Sequence, residues 1–319
     1  MSVPHDTINF NLRVNKRIER RMIVDVLAGL ARYENPSRFG YIGMGSYYFA
    51  DFAVMHKVLG IDKMVSIEWD RENDFRYEFN KPFACIEIVF GSTHDVLPTL
   101  KIFQERPVIV WLDYYGSLSD AVLGDVQEVI TKCKPGSALI ITLNGKALID
   151  AESVAQFESN LSARNRPPSY RNYSPSDKAQ PDKFAEICRQ VLTMRLQAVC
   201  SDRNAVNHEI GLRQIFNFRY KDGVRMLTFG WIFPNAEQAK HIDRNPSAMR
   251  AYPISVNGTP VNIDAPALTF REIAHLRAQL PKKPSDQTFL QKAQPIQGES
   301  AEKFASLYRY FPSFANIEE

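Results

Sequence analysis

The sequence predicts an α/β protein: a doubly wound, mostly parallel sheet that ends in an antiparallel hairpin, with a helix ahead of it and a helical appendix behind. Three observations predict this class. Five short apolar runs alternate with segments of helical periodicity between residues 39 and 143. Two aromatic-rich runs, 214–220 and 224–233, are joined by Lys221-Asp222-Gly223, and Asp-Gly is a strong hairpin signal. The chain has 319 residues and 45% hydrophobic content, enough to bury a sizeable core.

Taken in order, residues 1–37 read as a lead-in helix, because Ile18, Met22, Val26, Leu27 and Leu30 fall at helical spacing and Asn35-Pro36-Ser37 ends it. In the same stretch Arg13, Lys16, Arg17, Arg20 and Arg21 recur every three or four residues, which puts them on one side of that helix. The plain reading is a solvated face; the sharper one is a surface for phosphates or for an acidic protein partner.

Residues 38–235 form the expected sheet region. Strands are predicted at 39–43, 64–68, 85–90, 107–112 and 138–143, and helices at 47–59, 95–104 and 119–132. Lys134-Pro135-Gly136 supplies the turn before the fifth strand. Continuously apolar strands separated by helices mean a parallel sheet covered on both faces.

An insertion at 151–190 interrupts this pattern, since Asn165, Pro167, Pro168, Ser169, Asn172, Ser174, Pro175, Ser176 and Pro181 favour loop over packed element. It reads as a substrate-facing lid or as a spacer, and a helix at 183–196 brings the chain back. The appendix at 236–319 holds an amphipathic helix at 268–280 and an aromatic group at Tyr308, Tyr310, Phe311 and Phe314, a candidate protein interface.

Composition removes other classes. A net charge of +3 is too small to imply nucleic acid by itself. Cys85, Cys133, Cys188 and Cys200 are scattered without a CxxC pair, so neither a disulfide framework nor a zinc site is indicated. Asp6 and the basic residues from Arg13 to Arg21 stand where a signal peptide needs an apolar core, and no run approaches the ~18 apolar residues of a membrane span. A cytoplasmic protein is expected.

The stretch from Arg38 to Asp70 is the most informative. Its first strand ends in Gly43-Met44-Gly45-Ser46 and its second in Glu68-Trp69-Asp70. Glycines there let a ligand lie on bare backbone at the positive end of the next helix, and an acid closing the second strand can accept hydrogen bonds from a ribose diol. Together they point to an adenosine-containing cofactor. A nicotinamide-dependent oxidoreductase would need glycine at the third GxGxxG position, where this chain has Tyr48.

This order of elements resembles the class I S-adenosylmethionine-dependent methyltransferases over residues 16–235. The resemblance implies S-adenosylmethionine as cofactor. It places Gly43 and Gly45 beneath the methionine part of that cofactor, with Ser46 donating nearby, although the acid often found two positions before the first glycine is here Tyr41. Glu68 would hold the ribose and Trp69 would cover one adenine face. Ser92, Thr93 and above all Asp95 would meet the adenine edge, with His94 a loop histidine.

Asp113, Tyr114 and Tyr115 close the fourth strand, which the resemblance implies faces the methyl group of the cofactor. Asp113 would orient or deprotonate the nucleophile, and the tyrosines would wall a planar substrate. Metal-dependent O-methyltransferases end the fifth strand in Asp-Asn; this chain has Leu143-Asn144, so no catalytic metal is expected. The implied reaction is methyl transfer to an oxygen or nitrogen acceptor. Its alternative is a catalytically inactive binding or assembly module with the same fold. Arg164, Arg166 and Arg171, beside Tyr170 and Tyr173, have the mixture of cations and aromatics that single-stranded nucleic acid uses, but no recognisable module accompanies them.

Overall fold

The computed structural model describes residues 13–32, 34–206, 210–244 and 258–312. Helix α1 (Val14–Ala28) leads into β1 (Gly40–Gly43), α2 (Ala50–Leu59), β2 (Lys63–Glu68), α3 (Asp74–Asn80) and β3 (Ile86–Phe90). Next come α4 (Thr93–Val96), α5 (Ile102–Glu105), β4 (Val108–Asp113), α6 (Asp120–Lys132) and β5 (Ala138–Asn144). Helices α7 (Ala151–Asn160), α8 (Pro175–Lys178) and α9 (Pro181–Asn204) precede the hairpin β6 (Arg213–Asp222) and β7 (Val224–Ile232). The chain continues through α10 (Ala236–Arg244), β8 (Val261–Ile263), α11 (Phe270–Arg277), α12 (Gln287–Lys292) and α13 (Gly298–Leu307).

The strands form an eight-stranded sheet in the order β3-β2-β1-β4-β5-β7-β6-β8. Strands β1 to β5 pair in parallel, while β7 runs antiparallel between β5 and β6. From β1 the chain winds outward to β3 and then returns to β4 on the other side. The strand order therefore reverses between β1 and β4, and a crevice opens at their C-terminal ends. Both faces are covered. One cluster unites Ile18, Met22 and Leu27 of α1 with Phe52 of α2 and Phe304 of α13. The other packs Val126 and Ile130 of α6 and Val191 and Leu192 of α9 against Val110 and Ile141 of the sheet.

Several elements differ from expectation. The 95–104 segment is broken into α4, a 3₁₀ turn (Leu97–Thr99) and α5, since Pro98 cannot continue an α-helical ladder. The 151–190 insertion is largely helical, because Asp150 with Ser153 and Ser174 with Asp177 build capping boxes that start α7 and α8. The appendix is not purely helical: β8 adds to the sheet in parallel beside β6, pairing Phe218 with Val261. Tyr310 and Phe311 are buried in the core rather than presented to a partner; Phe314 lies outside the described residues.

The basic stripe is not a solvated face either. Lys16 and Arg20 are buried, and the Arg21 guanidinium donates to the carbonyl oxygens of Tyr310 and Phe311. Ile23 and Val24, off the Ile18–Met22 stripe, are buried as well, so α1 is covered on more than one side while Asp25 faces solvent. Asp222, at the hairpin turn, accepts from the backbone amides of Asn15 and Lys16 and so fixes the start of α1 against the sheet.

The hairpin joins the parallel strands at a close approach. Gly230 lies opposite Ile140 on one side and Phe216 on the other, and the Phe216 ring occupies the space a Cβ would need. Phe216 stacks on Phe218 with centroids 4.7 Å apart, which prevents it from swinging aside. Gly230→Ala is therefore expected to cost about 1–3 kcal/mol in urea denaturation; unchanged stability would contradict this packing.

Candidate active site

The crevice contains a cavity of about 400 Å³, and it gathers residues from four strand ends. Gly45 and Ser46 come from the turn after β1, Glu68 and Trp69 from the end of β2, Ser92 and Thr93 from the turn after β3, and Asp113, Tyr114 and Tyr115 from the end of β4. Gly43 and Asp95 do not line it. Gly43 lies against the side chain of Tyr41, whose hydroxyl would sit 2.7 Å from an added Cβ, so glycine is needed there for packing. Asp95 is exposed and accepts from Ser92 Oγ at 2.5 Å, at the N-cap of α4. His94 is exposed and outside the cavity.

Glu68 organises the turn. Its Oε1 accepts from the amides of Gly45 (2.8 Å) and Ser46 (3.1 Å) and from Ser66 Oγ (2.6 Å); Oε2 takes no part in these bonds. Two non-glycine residues of this turn, Ser46 and Phe49, have left-handed backbone (φ 49° and 45°), a conformation that persists only where surrounding bonds enforce it. An added Cβ at Gly45 would meet Phe49 and Ser66. Burial pushes the Glu68 carboxyl up to about 7, against the opposing hydrogen bonds from Ser66, Gly45 and Ser46.

The aromatic residues divide by role. Trp69 is 75% exposed although it lines the cavity, so it is not core, and its indole offers an uncovered flat surface. Tyr114 donates from its hydroxyl to Asp125 Oδ2 at 2.6 Å, beside a bond from Thr93 Oγ1 to the same oxygen. Its phenol is thus committed, and it serves the cavity as a wall. Burial and the nearby Asp113 raise the Tyr115 phenol above its ordinary range.

A second cavity of about 250 Å³ adjoins the first, and Asp113 and Tyr115 line both. Its other walls include Arg13 just before α1, Lys16 of α1, Asn144 at the end of β5, and Tyr220 and Asp222 of the hairpin. Lys16 Nζ lies 2.8 Å from Asp113 Oδ2 and 2.9 Å from Glu19 Oε2, and 4.7 Å from the centre of the Trp111 ring. Burial opposes the ammonium charge, but Asp113 and Glu19 outweigh it and hold Lys16 well above its usual range. Burial likewise raises the Glu19 carboxyl, with Lys16 opposing.

Lys16 in the smaller cavity and the Arg20–Asp51 pair in the larger one are lining residues that motif reading misses, and Glu19 lies buried behind Lys16. Their one sequence signal is the placement of charges inside a helix with apolar residues on most sides.

Among the described residues no three His, Cys, Asp or Glu side chains are grouped to hold a metal ion, and no helix is long and apolar enough to cross a membrane. The arginine and tyrosine group of the insertion is partly consumed internally. Arg166 pairs with Glu158, and the Tyr170 hydroxyl donates to the same carboxylate at 2.8 Å, while Arg164 and Arg171 stay exposed.

A family model described as "Putative O-methyltransferase" matches residues 8–319, and the chain belongs to that family. Comparison with curated proteins returns no match. Similar solved structures include cofactor-bound Rv0187 from MTB, at 13% identity and a TM-score of 0.39, covering 73% of this chain and 84% of that one. Another is the O-methyltransferase TomG from Streptomyces achromogenes in complex with SAM, at 14% identity and a TM-score of 0.38, covering 71% and 92%. Spermidine synthase from Thermotoga maritima is similar at 12% identity and a TM-score of 0.37, covering 69% and 62%.

Removing one partner of a buried ion pair leaves its counter-charge stranded, at about 3–5 kcal/mol. Lys16→Met should therefore destabilise the protein by that order in chemical denaturation, and adding Glu19→Gln to it should recover part of the loss. Equal stability of Lys16→Met and the parent chain would show that the buried ions are not coupled.

Proposed function

We propose that the chain transfers the methyl group of S-adenosylmethionine to the hydroxyl of a small acceptor, with the cofactor in the larger cavity and the acceptor in the smaller one. The observation that carries this reading is the meeting of the two cavities at Asp113 and Tyr115, with the larger one floored by the glycine turn and Glu68. The donor set fits the cofactor. A carboxylate whose Oε2 is not used by the turn suits a ribose diol, and an exposed indole beside it suits an adenine face. Ser92 and Thr93 border the same cavity, where the adenine edge would lie.

When bound, S-adenosylmethionine supplies a methyl carbon made electrophilic by its sulfonium; the acceptor oxygen attacks in line, and the carbon–sulfur bonding pair stays on sulfur. The protein's contribution is mainly alignment, which removes the entropic cost of bringing two reactants together. Asp113 accepts the hydrogen bond of the acceptor hydroxyl through Oδ1 while Lys16 holds Oδ2. The side chain of Asp113 is a quarter exposed, so the proton it takes returns to water. Tyr114 and Tyr115 wall the meeting point. An oxidoreductase reading has no comparable support, because Tyr48 occupies the position where a dinucleotide turn needs glycine and itself lines the cavity.

Isothermal titration calorimetry with S-adenosylhomocysteine tests the proposal, with Glu68→Ala expected to weaken binding at least about tenfold. The pH dependence follows from the raised Glu68 pKa. The acid is protonated below about 7 and must give up that proton to accept both ribose hydroxyls. Affinity should be full above that value and fall by up to about tenfold per pH unit beneath it, and Glu68→Gln should flatten the profile. Failure of both S-adenosylhomocysteine and S-adenosylmethionine to bind the parent chain would overturn the proposal.

A further inference from the structure

The larger cavity holds a charged pair that the chemistry above leaves unused. Arg20, from α1, donates from Nε to Asp51 Oδ1 of α2 at 2.5 Å, and both side chains are more than nine-tenths buried. Both nevertheless line the cavity. Among the described contacts this bond uses only Nε and Oδ1, so the two Nη nitrogens and Oδ2 remain for a ligand. Burial opposes the Arg20 charge, but Asp51 outweighs it, so the guanidinium stays charged in this pocket. A buried ion pair costs desolvation that Coulomb attraction need not repay, so the pair is weak evidence of a purely stabilising role.

The geometry points to what they would meet. A sulfonium centre carries three arms. With the adenosyl arm on Glu68, where Asp70 also lies with its Oδ2 taken by Tyr47 and Asn73, and the methyl group toward the second cavity at Asp113, the amino-acid arm is left to the wall formed by Arg20 and Asp51. Ala50, at the N-terminus of the ten-residue helix α2, also lines that wall. One cation beside one anion matches a zwitterion, whereas a purely anionic or cationic ligand would find one favourable and one repulsive partner. The pair also sits close enough to both other anchors for charges to act between them: Asp51 raises Glu68, and Asp113 acts on Arg20.

We infer that Arg20 and Asp51 form the subsite for the amino-acid end of the cofactor, with the α-carboxylate on the Arg20 Nη groups and the α-ammonium on Asp51 Oδ2; this rests on the S-adenosylmethionine reading above. The subsite places the lead-in helix in direct contact with the cofactor. It also makes the pocket selective for nucleosides that carry an amino-acid arm.

Two probes separate this subsite from the rest of the pocket. S-adenosylhomocysteine has the amino-acid arm, and 5′-methylthioadenosine has the same adenosine and thioether without it. Calorimetry on the full chain should give S-adenosylhomocysteine an advantage of at least about tenfold, as charge-assisted hydrogen bonds at both ends of the arm require. In Asp51→Asn that advantage should shrink, and in the double variant Arg20→Met with Asp51→Asn it should fall to near one while 5′-methylthioadenosine binds as in the parent chain. The double variant removes both charges, so neither is stranded, and its retained 5′-methylthioadenosine binding reports a folded pocket. An unchanged ratio in Asp51→Asn and the double variant, or no advantage in the parent chain, would overturn the subsite alone. If neither probe binds the parent chain, the cofactor reading itself falls and takes the subsite with it.

Discussion

Burial of ions on the first helix is the constraint on which this site depends. Lys16, Glu19 and Arg20 are all taken from water, and each needs a counter-charge, which Lys16 and Glu19 supply in part to one another within α1. The partners from other elements are Asp113 at the end of β4, which holds Lys16, and Asp51 at the start of α2, which holds Arg20. Because these two elements flank the point where the strand order reverses, neutralising α1 also positions it over the crevice. The same contacts that permit α1 to be buried thus give both cavities a charged wall. Asp222 adds the last tie, capping α1 from the hairpin turn.

Glu68 performs the corresponding task on the other side of the crevice. A β1 turn with two left-handed non-glycine residues is not a conformation the chain adopts unaided. One oxygen of Glu68 collects two amides and a hydroxyl from that neighbourhood and holds the turn in shape. Burial displaces the carboxyl's pKa toward neutrality, to about 7, so the residue that shapes the turn also carries an altered titration. Shape and chemistry at this corner are therefore not separable, and a change at Glu68 acts on both.

The sequence made legible what is local and periodic. The five parallel strands, the hairpin and the joining of Gly45, Ser46, Glu68 and Trp69 follow from alternation, a glycine turn and an acid closing a strand, all signals within a few residues of each other. The Lys16–Asp113 and Arg20–Asp51 pairs were illegible because the partners lie far apart in the chain and the basic spacing of α1 resembles that of any solvated helix. Only the apolar residues Ile23 and Val24, off the main stripe, hint that the helix is covered. β8 escaped because three residues carry no period, and its place beside β6 comes from tertiary pairing. The 151–190 segment looked like a loop because its prolines and serines mark turns; the same residues act here as helix starts and caps.

Membership of an O-methyltransferase family gives the reaction type, and the two adjoining cavities that share Asp113 and Tyr115 are what the proposed donor and acceptor pockets rest on. The most direct measurement is a crystal structure of the protein with S-adenosylhomocysteine. The account predicts ribose hydroxyls within about 2.6–3.2 Å of Glu68, with the thioether sulfur directed toward Asp113. A ligand bound elsewhere, or one lying in the cavity without contact to Glu68, would contradict it.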